Sequence, residues 1–138
     1  MSQSIYIIGV GMTRFGKQLD RSVKSLVGEA VQSALTDAGA TVADVEAAFY
    51  ANSTQGILDG QHCVRGQLAL RPLGFEGIPI TNIENACAGA SSALHHAIAY
   101  VKAGCADVVL AVGAEKMFDE DKRRSMAVFD GAWDVHEK

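Results

Sequence analysis

The sequence predicts an α/β fold of the pattern βαβαβαβ, built on a mainly parallel sheet, and three observations carry that expectation. Apolar runs at Ile5–Gly9 and Val108–Val112 are continuous rather than alternating, the mark of strands covered on both faces. Two stretches of helical period, closed by Gly39 and Gly104, stand between apolar runs. Strand and helix therefore alternate along the chain, which favours parallel pairing through right-handed crossovers.

The first strand is expected over Ile5 to Gly9. The turn after it imitates two phosphate-binding patterns. Gly11, Gly16 and Lys17 have P-loop spacing, but Gln18 stands where a hydroxyl is needed for magnesium. A dinucleotide fingerprint needs a third glycine at Arg14, and an acid where the next strand ends in Asn52. A plain glycine-rich turn accounts for the segment better than either.

Val23, Leu26, Val27, Ala30, Val31, Ala34, Leu35 and Ala38 recur at the spacing of an amphipathic helix, with Asp20 or Ser22 as its cap. Asp44 to Ala51 then reads as a strand with Val45, Ala47, Phe49 and Ala51 on one face and Ala48 and Tyr50 on the other. The polar loop Asn52–Gly56 follows at the strand end where open α/β sheets hold ligands. A short helix is expected from Gln61 to Leu70. Its His62 and Cys63 are adjacent, so they point about 100° apart on a helix and do not make a metal site. Pro72, Gly74 and Gly77 break the chain before a third strand, Ile78 to Ile83.

A polar corner at Glu84 and Asn85 leads into a helix expected from Cys87 to Lys102. Ala90, Ala93, Leu94, Ala97, Ile98 and Val101 share one face, and the other faces are small or apolar enough to be covered as well. The fourth strand follows, with Gly113, Ala114 and Glu115 as its exit. From Met117 onward a mixed-charge run, Asp119 to Arg124, reads as a solvated loop or helix start. Val128, Phe129 and Trp133 then place apolar bulk near the end with nothing of the chain left to cover it. More polypeptide is expected there.

With 138 residues, 49% hydrophobic and 20% charged, the composition is that of a globular domain. A net charge of −4 and the absence of a basic stripe argue against nucleic acid as a partner. Ile5–Val10 is too short for a signal core or a membrane span, which leaves a cytoplasmic location as the expectation. Cys63, Cys87 and Cys105 are odd in number and lack CxxC spacing, so reduced thiols are expected.

Cys87 is the candidate catalytic residue. A strand-to-helix corner lifts a side chain to the end of a sheet, and unpaired N–H groups at a helix start favour thiolate over thiol and can hold an oxyanion. Free cysteine is also a common buried small hydrophobe. What separates the two readings is the space around it. Ala86, Ala88, Gly89, Ala90, Ser91 and Ser92 put no bulky side chain in the first turn. His95 and His96 lie roughly 12 to 13.5 Å farther along the same helix and cannot take its proton.

The stretch ENACAGASSALHHAIAYVKAG followed by DVVLAVGAEKM resembles the nucleophile region of thiolases, and the opening IIGVGMTRFGK resembles their sterol-carrier-protein branch. The resemblance implies most of the N-terminal half domain of the thiolase fold over residues 1–116, with 117–138 the start of a loop region or a truncated tail. Cys87 would be the residue acylated by a 3-ketoacyl-CoA or acetyl-CoA, with coenzyme A as substrate and no covalently bound cofactor. Many thiolases read Cys-Ala-Ser-Gly where this chain has Cys87, Ala88, Gly89 and Ala90, so smallness is kept. The family's histidine, second cysteine and CoA loop lie beyond this chain, so a C-terminal segment is the implied partner. Homo-oligomerisation through Ile78 to Ile83 is also implied. Two alternatives share the fold: a lipid-transfer or binding subunit with Cys87 as a relic, and another acyl-CoA condensing or carbon–carbon-cleaving enzyme.

Overall fold

The computed structural model describes residues 4–137, so Met1–Gln3 and Lys138 are outside the described residues. Helix α1 spans Val23–Ala38, and the reasons are local. The Ser22 hydroxyl accepts the Ser25 N–H at its start, and Gly39 closes it at φ 62°, where a side chain would be strained. Its apolar stripe of Val23, Leu26, Val27, Val31 and Leu35 is buried.

Three strands follow: β1 at Ala47–Ala51, β2 at Ile80–Ile83 and β3 at Val109–Gly113. All pair in parallel in the order β2-β1-β3, with Ala48 opposite both Ile80 and Leu110. Every residue of the central strand β1 is buried. Alternation along it divides the core as expected. Ala48 and Tyr50 face α1 and helix α3 (Arg65–Leu70), joined by Leu70 and Phe75, while Phe49 and Ala51 face helix α4 (Gly89–Lys102), joined by Ile83, Ala93 and Ala97. Val45, expected on the Phe49 face, instead belongs to the α1 side, because the turn Val42–Asp44 ends before the strand begins and the pleat does not extend back to it. The architecture is the expected α/β type, helices on both faces of a parallel sheet.

The elements differ from expectation in several places. The polar loop after β1 is short, because helix α2 (Gln55–Asp59) begins within it and α3 follows separately, in place of one helix from Gln61. The second strand starts at Ala47 rather than Asp44, and the third at Ile80 rather than Ile78. Residues 4–10 form no strand, and Tyr6, Ile7 and Ile8 are exposed. Composition alone does not make a strand; a backbone partner does. This segment instead crosses α1 closely, where a Cβ on Gly11 would fall 2.1 Å from the Ala30 carbonyl oxygen. A cavity of about 600 Å³ separates it from β3. For the same reason β3, expected to be fully buried, is only half-buried.

Helix α4 also departs from expectation. It buries Gly89, Ala93 and Ala97, whereas Leu94 is 41% exposed and both histidines are exposed. One face is covered, not several. The charged run forms a short helix α5 (Lys122–Ala127), capped by the Asp121 carboxylate accepting from the Arg123 N–H. Arg124 donates to the Leu58 carbonyl and Val128 is buried, which docks this segment on α2.

Candidate active site

Because all three strands run parallel, their carboxyl ends meet at one edge of the sheet. β1 runs into Asn52, Ser53 and Thr54, β2 into Glu84, Asn85 and Ala86, and β3 into Ala114 and Glu115. The Glu115 carboxylate gathers four donors there. They are Asn52 Nδ2 at 3.2 Å, the Ser53 N–H at 2.5 Å, the Thr54 N–H at 3.1 Å and the Thr54 hydroxyl. Asn52 also donates to the Ala114 carbonyl at 2.6 Å, and its own two oxygens accept from Arg65 at 2.9 and 2.8 Å. Asn52 and Thr54 are both buried, and their polar atoms are satisfied by this network. Beneath it, burial pushes the Tyr50 hydroxyl up to about 12, with Glu115 adding to the shift and Arg65 opposing it.

The network continues to the cysteine. Ser53 Oγ donates to Glu84 Oε1 at 2.9 Å and lies 3.3 Å from the Ala86 carbonyl; the same Glu84 oxygen accepts the Ala86 N–H at 2.6 Å. Ala86 is held at φ 42°, a conformation that costs a non-glycine residue of order 1 kcal/mol or more. Cys87 comes next. It is exposed, in a single 3₁₀ turn from Ala86 to Ala88, and α4 proper begins at Gly89, so the helix start expected at Cys87 moves by two residues. The tight turn also engages N–H groups that were expected to be open. Ala86 donates to Glu84, Ala88 to the Asn85 carbonyl at 2.8 Å and Gly89 to the Ala86 carbonyl.

Cys87 opens on a cleft of about 450 Å³, lined by Ala86, Gly89 and Ala90 beside it, Glu115 below and the Met12–Gly16 strip opposite. Small residues on the near wall leave room for a ligand to approach the sulfur. That strip is where the glycine-rich turn sits. Six residues separate Gly16 from the start of α1, so no helix N-terminus follows it as a phosphate loop requires.

His95 and His96 lie on the exposed outer part of α4, with His96 stacked on Phe49 at 6.4 Å. Neither joins Cys87. His62 and Cys63 are exposed, and among the described residues no group of three or more ligating side chains could hold a metal ion. Sequence reasoning missed Glu115 and Arg65. The usable signal was an acid one residue past the end of a buried strand and an arginine between apolar residues, but nothing local says that they meet.

Glu84 carries a testable pH dependence. The Ala86 N–H, then the Ser53 hydroxyl, hold its carboxyl below the ordinary value of 4.5. A depressed folded-state pKa adds stability that is present above the unfolded value and is lost as pH falls through the folded one. The stability difference between wild type and Glu84→Gln is therefore expected to shrink on acidification from neutral pH to below 4.5. Urea unfolding at both pH values measures it, and a difference that grows in acid would reverse the assignment.

Residues 5–137 match the thiolase N-terminal domain. The chain belongs to the thiolase family. It is 38% identical over 117 residues to an acetyl-CoA acetyltransferase of Methanocaldococcus jannaschii, covering 85% of this chain and 30% of that protein. It is 42% identical over 119 residues to sterol carrier protein 2 of Gallus gallus, covering 85% of this chain and 21% of that protein. Among solved structures, the Ltp2-ChsH2(DUF35) aldolase superposes with a TM-score of 0.65 at 24% identity, over 95% of this chain and 32% of that chain. The thiolase chain thus spans about a third or less of the length of these relatives. Among its described residues no helix is long and apolar enough to cross a membrane.

Proposed function

We propose that the chain is the N-terminal part of a thiolase-type acyl-CoA acyltransferase in which Cys87 forms the acyl-enzyme. The observation that carries this reading is the exposed thiol at the carboxyl edge of a parallel sheet, opening on a cleft with small-residue walls. From an acyl-CoA, Cys87 Sγ bonds to the carbonyl carbon, the carbon–sulfur bond of the thioester breaks and coenzyme A leaves as the thiol. From a 3-ketoacyl-CoA, Sγ bonds to the 3-keto carbon, the bond to C2 breaks and the C2 carbanion takes a proton. Coenzyme A then receives the acyl group from sulfur.

Both routes need a base and a proton donor, and no histidine of α4 reaches Cys87. A C-terminal part supplies them in this reading, and the cavity between residues 4–11 and the open edge of β3 is a place for further polypeptide. Without that part, acid/base catalysis worth about 10²- to 10⁴-fold is lost, so the chain alone turns over little. Residues 1–116 form the half domain and 117–138 begin the loop region. No metal is required, and three free exposed thiols suit a reducing, cytoplasmic compartment.

The test of the central step is acetylation by acetyl-CoA. The peptide carrying Cys87 is expected to gain one acetyl group, and acetylation spread evenly over Cys63, Cys87 and Cys105 would sink the proposal. Self-association is proposed through Ile78 to Ile83, whose strand β2 lies at the end of the sheet. Sedimentation should show a dimer or tetramer, and a monomer at every concentration would overturn this surface. A second reading, a lipid-binding subunit with an idle Cys87, is favoured by the likeness to a protein named sterol carrier. An unreactive thiol in a stably folded chain would select it.

A further inference from the structure

Glu115 stands apart from the other acids because its contacts converge on one short segment. Its two oxygens hold the side chain of Asn52, the backbone of Ser53 and both the backbone and hydroxyl of Thr54. Arg65 holds Asn52 from the other side, so the segment is gripped between a carboxylate and a guanidinium. Such charge-assisted bonds are shorter and stronger than neutral ones. Gripped in this way, the segment has a single free hand. That is Ser53 Oγ, which reaches Glu84 Oε1 at 2.9 Å and approaches the Ala86 carbonyl. Glu84 then fixes the Ala86 N–H at 2.6 Å and with it the left-handed φ of 42° immediately before Cys87. A backbone in that region relaxes unless its surroundings hold it.

We infer that Glu115 is a positioning residue for Cys87, acting through Ser53 and Glu84 on the turn that presents the thiol. The inference rests on the reading of Cys87 as the nucleophile. It predicts a sign that a purely electrostatic role would reverse. A carboxylate near a thiol disfavours the thiolate, so if Glu115 acted by charge alone, its removal would speed attack by Cys87. If it acts by position, its removal lets the turn relax and slows attack.

Glu46 supplies the control. Its carboxylate also accepts two backbone N–H groups, from Asp107 at 2.6 Å and Val108 at 3.1 Å, and ties the same two strands at their opposite end. Glu46→Gln therefore reports a loss of strand tethering without touching the Cys87 turn.

The experiment is alkylation of Cys87 by iodoacetamide in the full chain, with Cys63 and Cys105 replaced by serine and the rate followed against pH. Glu115→Gln is expected to move the pH–rate profile to more alkaline values and to slow alkylation at neutral pH by roughly 3- to 10-fold, a change of half to one pH unit. Ser53→Ala, which cuts the same link at one hydroxyl and leaves the fold-bearing carboxylate in place, is expected to do the same. Glu46→Gln should leave the profile unmoved. An unchanged or faster rate in Glu115→Gln, or an equal slowing in Glu46→Gln, overturns the inference. If Glu115→Gln does not fold, Ser53→Ala decides alone: slower supports, unchanged overturns. Should wild-type Cys87 react no faster than Cys63 or Cys105, the nucleophile reading itself falls and takes this inference with it. Fast wild-type Cys87 with an indifferent Glu115→Gln removes the inference only.

Discussion

Replacing Cys87 by Ala is expected to abolish the rapid phase of labelling by a thiol-directed reagent at neutral pH, leaving only slow reaction at Cys63 and Cys105. All three thiols are exposed, so access alone does not distinguish them. What distinguishes Cys87 is the held turn and the cleft beside it. In a polypeptide completed by a C-terminal thiolase part, the same substitution should lower acyl transfer by about 10⁴-fold or more, since removing a covalent nucleophile leaves no intermediate to form. Stopped-flow labelling followed by peptide mapping reads the first effect and coenzyme A release the second. If Cys63 or Cys105 labels as fast as Cys87 in the wild type, Cys87 is an ordinary surface thiol.

Leu70→Ala should carry the largest loss of stability, about 3 to 4 kcal/mol. Leu70 is fully buried at 0% exposure, packed with Val27, Val31, Tyr50 and Phe75 where α3 meets α1 and the sheet. The cavity it leaves is enclosed by elements that are themselves tied to β1, so the site has little means to collapse. For a domain whose total stability is about 5–15 kcal/mol, that loss removes a large share of the folded margin. Leu94→Ala, on the uncovered face of α4, is expected to cost less than about 1 kcal/mol. Urea midpoints compare the two. An equal cost would mean that α4 is covered on that face in solution.

Much of the fold was legible because its signals are local. α1 was readable through the stripe of Val27 and Val31 to Gly39, since period and caps act within one turn, and of the two caps offered, Asp20 and Ser22, the structure takes Ser22. The two faces of β1 followed from alternation at Phe49 and Tyr50. The first strand was over-read for the opposite reason. Tyr6, Ile7 and Ile8 have strand composition, but pairing is a property of the neighbour, and across the cavity β3 does not reach them. The outer face of α4 was over-read in the same way, its small residues suiting a covered helix while Leu94 stays open.

At the site, Cys87 was identifiable from its own surroundings, a polar corner before it and small residues after it. The sequence by itself therefore determined the α/β class, helix α1, the two faces of β1 and the candidate nucleophile, whose signals lie within a turn or two of one another. The tertiary structure alone decided that Glu115, Asn52, Ser53 and Glu84, separated by as many as 63 positions, form one hydrogen-bonded chain ending at the turn before Cys87. Parallel strands bring their carboxyl ends to a common edge whatever the length of chain between them, so residues distant in sequence become partners only when the sheet forms.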